Sequence, residues 1–179
     1  MIKILLLITL LPLQSFCQSD SIPKNVLGKY DYTDVVNVDS AAADKLYSNA
    51  KIFIVDAFKS GKDVTQMNDE NAKTVAGTGT QKIYFKGISL SAVDKFIKFK
   101  FFIQCKDGRY KYSISNFELE MIDNRGSSSI PLENEKELKH FVTKNMKAQL
   151  MRQVNNSMRK FINDLNKNMS SQTANTKNW

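Results

Sequence analysis

Between Ala43 and Phe58 the apolar residues Ala43, Leu46, Tyr47, Ala50, Phe53, Ile54, Ala57 and Phe58 recur at steps of three and four. That spacing lines one face of an amphipathic helix, and the continuity of the stripe predicts that it packs on a flat apolar surface. Ser40 or Asp39 stands where an N-cap belongs, Asp44 falls in the first turn, and Gly61 follows the end. Ahead of the helix, Tyr30, Tyr32, Val36 and Val38 alternate and predict a strand over Tyr30 to Val38. Behind it, Asp63 to Asn68 reads as a short strand, Asp69-Glu70-Asn71 as a turn, and Thr74 to Phe85 as a further strand. Gly77 and Gly79 share one face of that last strand, which predicts a groove and room to bend. Gly87 to Asp94 reads as a connector.

The plainest alternation is a hairpin. Ile97, Phe99, Phe101, Ile103 and Cys105 interleave with Lys98, Lys100, Phe102, Gln104 and Lys106. Lys106-Asp107-Gly108 turns the chain, the Asp-Gly pair supplying the positive φ angles of a tight hairpin. Tyr110, Tyr112 and Ile114 continue the inward set, which then shifts phase to Phe117, Leu119 and Met121. A one-residue shift means a bulge near Ser115-Asn116 or a change of the buried face. Gly126 to Ser129 reads as a loop that Pro131 ends. From about Asn134 to Asn168 one long helix is predicted, with Leu138, Val142, Met146, Leu150, Val154, Met158 and Ile162 at every fourth position. Each such step drifts about 40°, so the stripe turns through about 240° over the series. A straight helix cannot lay all of it on one sheet. The pattern therefore predicts a break near Asn155-Asn156-Ser157, or a second half whose Val154, Met158, Phe161 and Leu165 face a partner protein or a second copy.

The first residues read as an export signal. Lys3 is a short positive region, Ile4 to Leu13 is apolar apart from Thr9 and Pro12, and Ser15 and Cys17 are small residues suited to cleavage before Gln18. The run falls short of the roughly 20 residues that span a bilayer, so no membrane anchor is expected in the mature chain. Cys17 as a lipidated first residue is the less favoured alternative, because Phe16 is bulky where a small residue is wanted. The resulting division is a signal peptide over 1–17, a flexible leader over 18–28, one α+β domain over 29–169 and a disordered tail over 170–179. A mature chain of about 160 residues is long enough for a real core. Its one remaining cysteine, Cys105, cannot form an internal disulfide. Net charge is +8 before Lys3 is removed. Outside the cytoplasm such a surface suits anionic envelope components better than nucleic acid, which is not expected as a partner.

Little else carries chemistry. His140 is the only histidine and reads as a helix surface residue. Cys105 belongs to the inward set of the hairpin and reads as a small hydrophobe. Glu118 and Glu120 share a strand face, but two carboxylates alone make a poor calcium site. Gly77-Thr78-Gly79 is too short for a phosphate loop. No catalytic residue, metal site or cofactor is expected. Two basic sets stand out: Lys98, Lys100, Lys106, Arg109 and Lys111 on the hairpin face opposite its core, with Phe102, and Lys139, Lys144, Lys147, Arg152, Arg159 and Lys160 on the long helix.

Strand, helix, four strands and a long helix is the order of one half of a TATA-binding-protein-like fold, an antiparallel sheet with both helices on one face. Lys45-Leu46-Tyr47, Ala50-Lys51, Phe53, Phe58, Lys62-Asp63-Val64, Asp69 and Val75-Ala76-Gly77-Thr78-Gly79 also resemble a family of exported bacterial domains, the domain of unknown function 4468 with a TBP-like fold. Phe53 stands where that family suggests a tryptophan. Lys73 stands where it suggests a turn glycine, so Asn71 is expected to take the left-handed conformation. The resemblance implies a fold and no activity. The expected role is a non-enzymatic binding or interaction module of the cell envelope. The alternatives are a binder of lipid phosphates or acidic glycans through the basic sheet face, and a hydrolase with no residues to name.

Overall fold

The computed structural model describes residues 21–58, 65–85, 94–124 and 126–171. The export signal, Cys17, Gly87 to Val93 of the connector, and the tail beyond Ser171 lie outside them. The elements are β1 (Asp31–Asn37), α1 (Ala43–Ala57), β2 (Thr65–Asp69), β3 (Thr74–Lys82), β4 (Asp94–Lys106), β5 (Arg109–Asp123), β6 (Gly126–Pro131), α2 (Glu135–Phe141) and α3 (Lys144–Ser171). The strands form one antiparallel sheet in the order β1-β5-β4-β3-β2, with β6 also paired to β5. Helices α1 and α3 pack against each other on one face, as the α+β reading expects.

β5 is the spine of the sheet. Its first half pairs with β1, from Arg109 opposite Asn37 to Ser115 opposite Asp31, and its second half pairs with β6 along the same edge. Between the halves sits a bulge. The register with β4 shifts between Lys98 and Lys100, and Asn116 adopts a φ of 55°. The extra residue keeps Tyr110, Tyr112 and Ile114 on the same buried face as Phe117, Leu119 and Met121. The phase change in the sequence is thus a bulge, and the core side never switches.

β6 corrects the reading of Gly126 to Ser129 as a loop. A serine run has no apolar period, and only Ile130 of this strand is buried. The strand forms because β5 offers a free edge, and the peptide N–H of Leu132 extends the pairing by donating to Phe117 O at 2.9 Å. Within the stretch expected as a loose leader, Ile22 and Pro23 are docked, while Val26 and Leu27 are exposed. Ile22 lies in the core, Asp31 N–H donates to Pro23 O at 3.0 Å, and Asn25 Oδ1 accepts from the N–H groups of Leu27 and Lys29.

The long helix breaks at Val142-Thr143, well before the asparagine pair. Val142 is extended (φ −132°, ψ 130°) and Thr143 Oγ1 accepts from Met146 N–H at 3.3 Å, which starts α3 afresh. α2 is capped by Asn134, whose side chain accepts from Glu137 N–H at 3.2 Å and donates to Glu137 Oε2 at 2.7 Å. Along α3 the buried apolar residues are Met146, Leu150, Val154, Met158, Leu165 and Met169. The seven-residue step from Met158 to Leu165 reverses the drift of the preceding four-residue steps, so the set stays within an arc of about 140°. The helix runs unbroken past Asn155, which is buried and accepts from Tyr32 OH at 2.7 Å.

α1 begins at Ala43, and neither Ser40 nor Asp39 caps it. Ser40 takes a φ of 61°, and the helix N-terminus is held by Asp107 of the β4–β5 turn, whose Oδ1 accepts from Ala43 N–H at 2.8 Å. Only Gly108 of the Asp-Gly pair has a positive φ. Lys73 takes the left-handed conformation itself (φ 49°), and Asn71 does not.

Candidate functional site

Both long helices lie on one face of the sheet, and among the described residues no helix covers the other face. Strand alternation assigns it the even-numbered residues of β3 and β4 and the odd-numbered residues of β1 and of β5 before the bulge. At its centre Phe102 is flanked across the register by Ala76 on β3 and Ser113 on β5, and Lys100 by Thr78 and Ser115. These small neighbours leave a depression of about 420 Å³ around the Phe102 ring, which is 38 % exposed. Gln104 faces Lys111 one register position further on, so Lys111 lies diagonal to Phe102 while Lys100 lies beside it on β4. An aromatic ring is therefore bracketed by two exposed ammonium groups with the hydroxyls of Thr78, Ser113 and Ser115 around it, that of Ser113 donating to Asp31 Oδ1 at 3.4 Å.

The remaining basic residues are not part of that cluster. Lys106 and Arg109 face each other at the hairpin turn, and Lys98 lies directly opposite Glu118. Beyond the bulge the face turns acidic and serine-rich: Glu118 Oε2 accepts from Ser129 Oγ at 2.6 Å and Glu120 Oε1 from Ser127 Oγ at 3.3 Å. Each carboxylate is bonded to a hydroxyl, and among the described residues no group of three or more histidine, cysteine or acidic side chains is placed to hold a metal.

The second half of the long helix turns its apolar residues toward its own chain. Val154, Met158 and Leu165 are buried in the core of the single chain, and Phe161 packs its ring on Phe53 at 5.0 Å, Phe58 at 5.9 Å and Phe99 at 6.2 Å. The expectation of an external partner or second copy through these four residues loses the observation that motivated it. On the polar side of α3, Lys147 pairs with Glu135 at 3.0 Å and Lys160 with Asp164. Arg159 donates to Asn155 at 3.3 Å. Lys139, Lys144 and Arg152 are exposed.

His140 is exposed in the last turn of α2. Cys105 is buried, and burial pushes its thiol up to about 12, which suits an inert hydrophobe and not a nucleophile. Gly79 explains the missing groove: an added Cβ would lie 2.7 Å from the Phe99 ring and 2.8 Å from that of Phe58. The space left by this glycine is the seat of the two rings.

Sequence reasoning missed a second concavity, on the helical side. A cleft of about 790 Å³ lies between the end of α1 and α3, lined by Phe53, Phe58, Phe99 and Phe161 with Asp56 and Asp164 at its mouth. No periodicity signals it, because its lining comes from four elements. Asn49 is also unforeseen: it is fully buried in α1 with neither amide atom hydrogen-bonded.

Residues 32–120, from β1 to the second half of β5, match the family model described as "Domain of unknown function (DUF4468) with TBP-like fold". The chain is similar in structure to a DUF4468 family protein from Bacteroides ovatus (TM-score 0.63, 16 % identity, 85 % of this chain and 91 % of that one). It is also similar to a TBP-like protein from Parabacteroides distasonis (TM-score 0.60, 15 % identity, 81 % and 97 %). At these identities the likeness is one of fold. No curated protein matches.

Proposed function

Residues 32–120 of this chain form a domain of the DUF4468 family with TBP-like fold, and we propose that the protein is an exported binding module whose open sheet face takes an anionic ligand. The observation that carries this reading is the bracketed ring: Phe102 among Ala76, Thr78, Ser113 and Ser115, with Lys100 and Lys111 on either side. Small residues let a ligand reach the backbone plane, the ring gives it an apolar floor, and two exposed ammonium groups supply the charge. The reading of residues 1–17 as an export signal favours envelope anions, lipid phosphates or acidic glycans, as the ligand. Among the described residues no helix is long and apolar enough to cross a membrane.

The test uses two probes, phosphatidylglycerol vesicles and polygalacturonate, with the wild type and a Lys100→Ala, Lys111→Ala double variant. At least one probe is expected to bind the wild type, with affinity falling roughly tenfold as salt rises from about 0.05 to 0.3 M, because exposed charges are screened over that range. The double variant should lose most of this binding and its salt dependence. Equal binding by wild type and variant, or no binding of either probe at low salt, overturns the reading. Intact mass on the soluble envelope fraction reads the export half: a chain starting at Gln18 supports it, and an uncleaved chain in the cytoplasm removes it.

A further inference from the structure

The cleft on the helical side has a composition opposite to that of the open face. Its floor is aromatic. Phe53 and Phe99 are buried, Phe58 and Phe161 are partly so, and Phe161 contacts the other three rings at 5.0 to 6.2 Å between centroids. Gln81 on β3 donates to Ser157 on α3, tying sheet to helix beside the floor. The volume of about 790 Å³ falls within the roughly 300 to 1,000 Å³ of small-molecule sites. At the mouth stand Asp56 on α1 and Asp164 on α3, with Lys160 as the counter-charge and already paired to Asp164. In a chain of net charge +8, the described lining of this mouth holds two carboxylates and one ammonium group.

We propose that this cleft binds a small cationic molecule bearing an apolar or aromatic ring, the ring lying against the exposed sides of Phe58 and Phe161 and the cation meeting Asp56. Ring faces attract a cation as well as an apolar group, so the floor and the mouth favour the same ligand class. Asp56 is exposed at the end of α1, and Lys160, the cation that lines the cleft among the described residues, is engaged by Asp164. The site lies on the opposite side of the sheet from Phe102 and Lys100 and does not depend on the reading of that face.

The experiment titrates the full chain with 4-phenylbutylamine and with 4-phenylbutyrate, matched in ring and chain length and opposite in charge, following the Met158 methyl resonance. The amine is expected to saturate and to bind roughly tenfold tighter than the acid, as one close carboxylate requires. Asp56→Asn, at an exposed position, should bring the two affinities close together with the thermal midpoint unchanged. Ala57→Trp, which fills the cleft from its exposed side, should abolish binding of both. Equal affinity of amine and acid, an unmoved Met158 resonance, or an amine affinity insensitive to Asp56→Asn each overturns the proposal.

Discussion

At the scale of single residues, Lys73 shows how a side chain can hold a backbone conformation it does not favour. Its φ of 49° belongs to the left-handed region, where an L-residue is disfavoured by about 1 to 2 kcal/mol. In place stand an ion pair to Asp44, a ring contact with Tyr47 at 5.8 Å and the carbonyl that accepts from Cys105 N–H at 3.0 Å. The ion pair is exposed, and such pairs contribute little. Lys73→Gly is therefore expected to be more stable than Lys73→Ala by about 1 kcal/mol in denaturant titrations, since both remove the side-chain contacts and only glycine relieves the backbone. Equal stability of the two variants would mean that the turn relaxes. The resemblance to the family rightly marks position 73 as a glycine site. Asn71 was the wrong substitute because the left-handed residue must sit where the chain enters β3, directly before Thr74.

At the scale of elements, α1 depends on a hairpin more than 60 residues further along the chain. Asp107 accepts from Ala43 N–H, Gly108 N–H donates to Ala41 O at 2.8 Å, and Val38 N–H donates to Gly108 O at 2.8 Å. The turn between β4 and β5 thus clamps both the end of β1 and the start of α1. Asp107→Ala should lower stability by about 0.5 to 2 kcal/mol, the range for loss of an N-cap, with the loss read by thermal or urea unfolding. Ser40→Ala, at the cap position the sequence suggested, should leave α1 capped. A larger loss from Ser40→Ala than from Asp107→Ala would return the cap to the local sequence. The same contrast runs through the sheet. The bulge at Asn116 is legible because it shifts the apolar phase of its own strand, whereas β6 is silent because its hydrogen bonds come from β5 and its serines carry no pattern.

At the scale of the whole molecule, the helical layer joins the sheet partly through buried hydroxyls. Tyr32 OH donates to Asn155 and Tyr110 OH to Asn166 Oδ1 at 2.6 Å. Burial pushes the Tyr32 phenol up to about 12, against a smaller opposite pull from Arg159, and raises that of Tyr110 as well. It also raises the Cys105 thiol to about 12. Each group is held neutral in the folded chain above its unfolded value. Their contribution is therefore complete below the unfolded values, about 9 for the thiol and 10 for the phenol, and is lost as pH rises through the folded ones. Stability should be flat in these groups up to about pH 9 and fall between about pH 9 and 12, each steepening the loss by at most about 1.4 kcal/mol per pH unit. Urea titrations across that window test this, and Tyr32→Phe should reduce the slope. A slope unchanged in Tyr32→Phe would assign the alkaline loss to other groups.

What the sequence by itself determined is whatever a window of a few residues can encode: the stripe of α1, the alternation of β4 and β5, the phase shift at Ser115-Asn116, and the lysines opposite the core around Phe102. These depend on covalent order and on the 3.6- and 2-residue periods. Only the tertiary structure decided the cap of α1, the pairing of β6, the break at Val142-Thr143 and the inward course of Val154, Met158, Phe161 and Leu165. The α1–α3 cleft belongs with them. Each depends on a hydrogen-bond partner or a packing surface far away in the chain, and no local period carries that information.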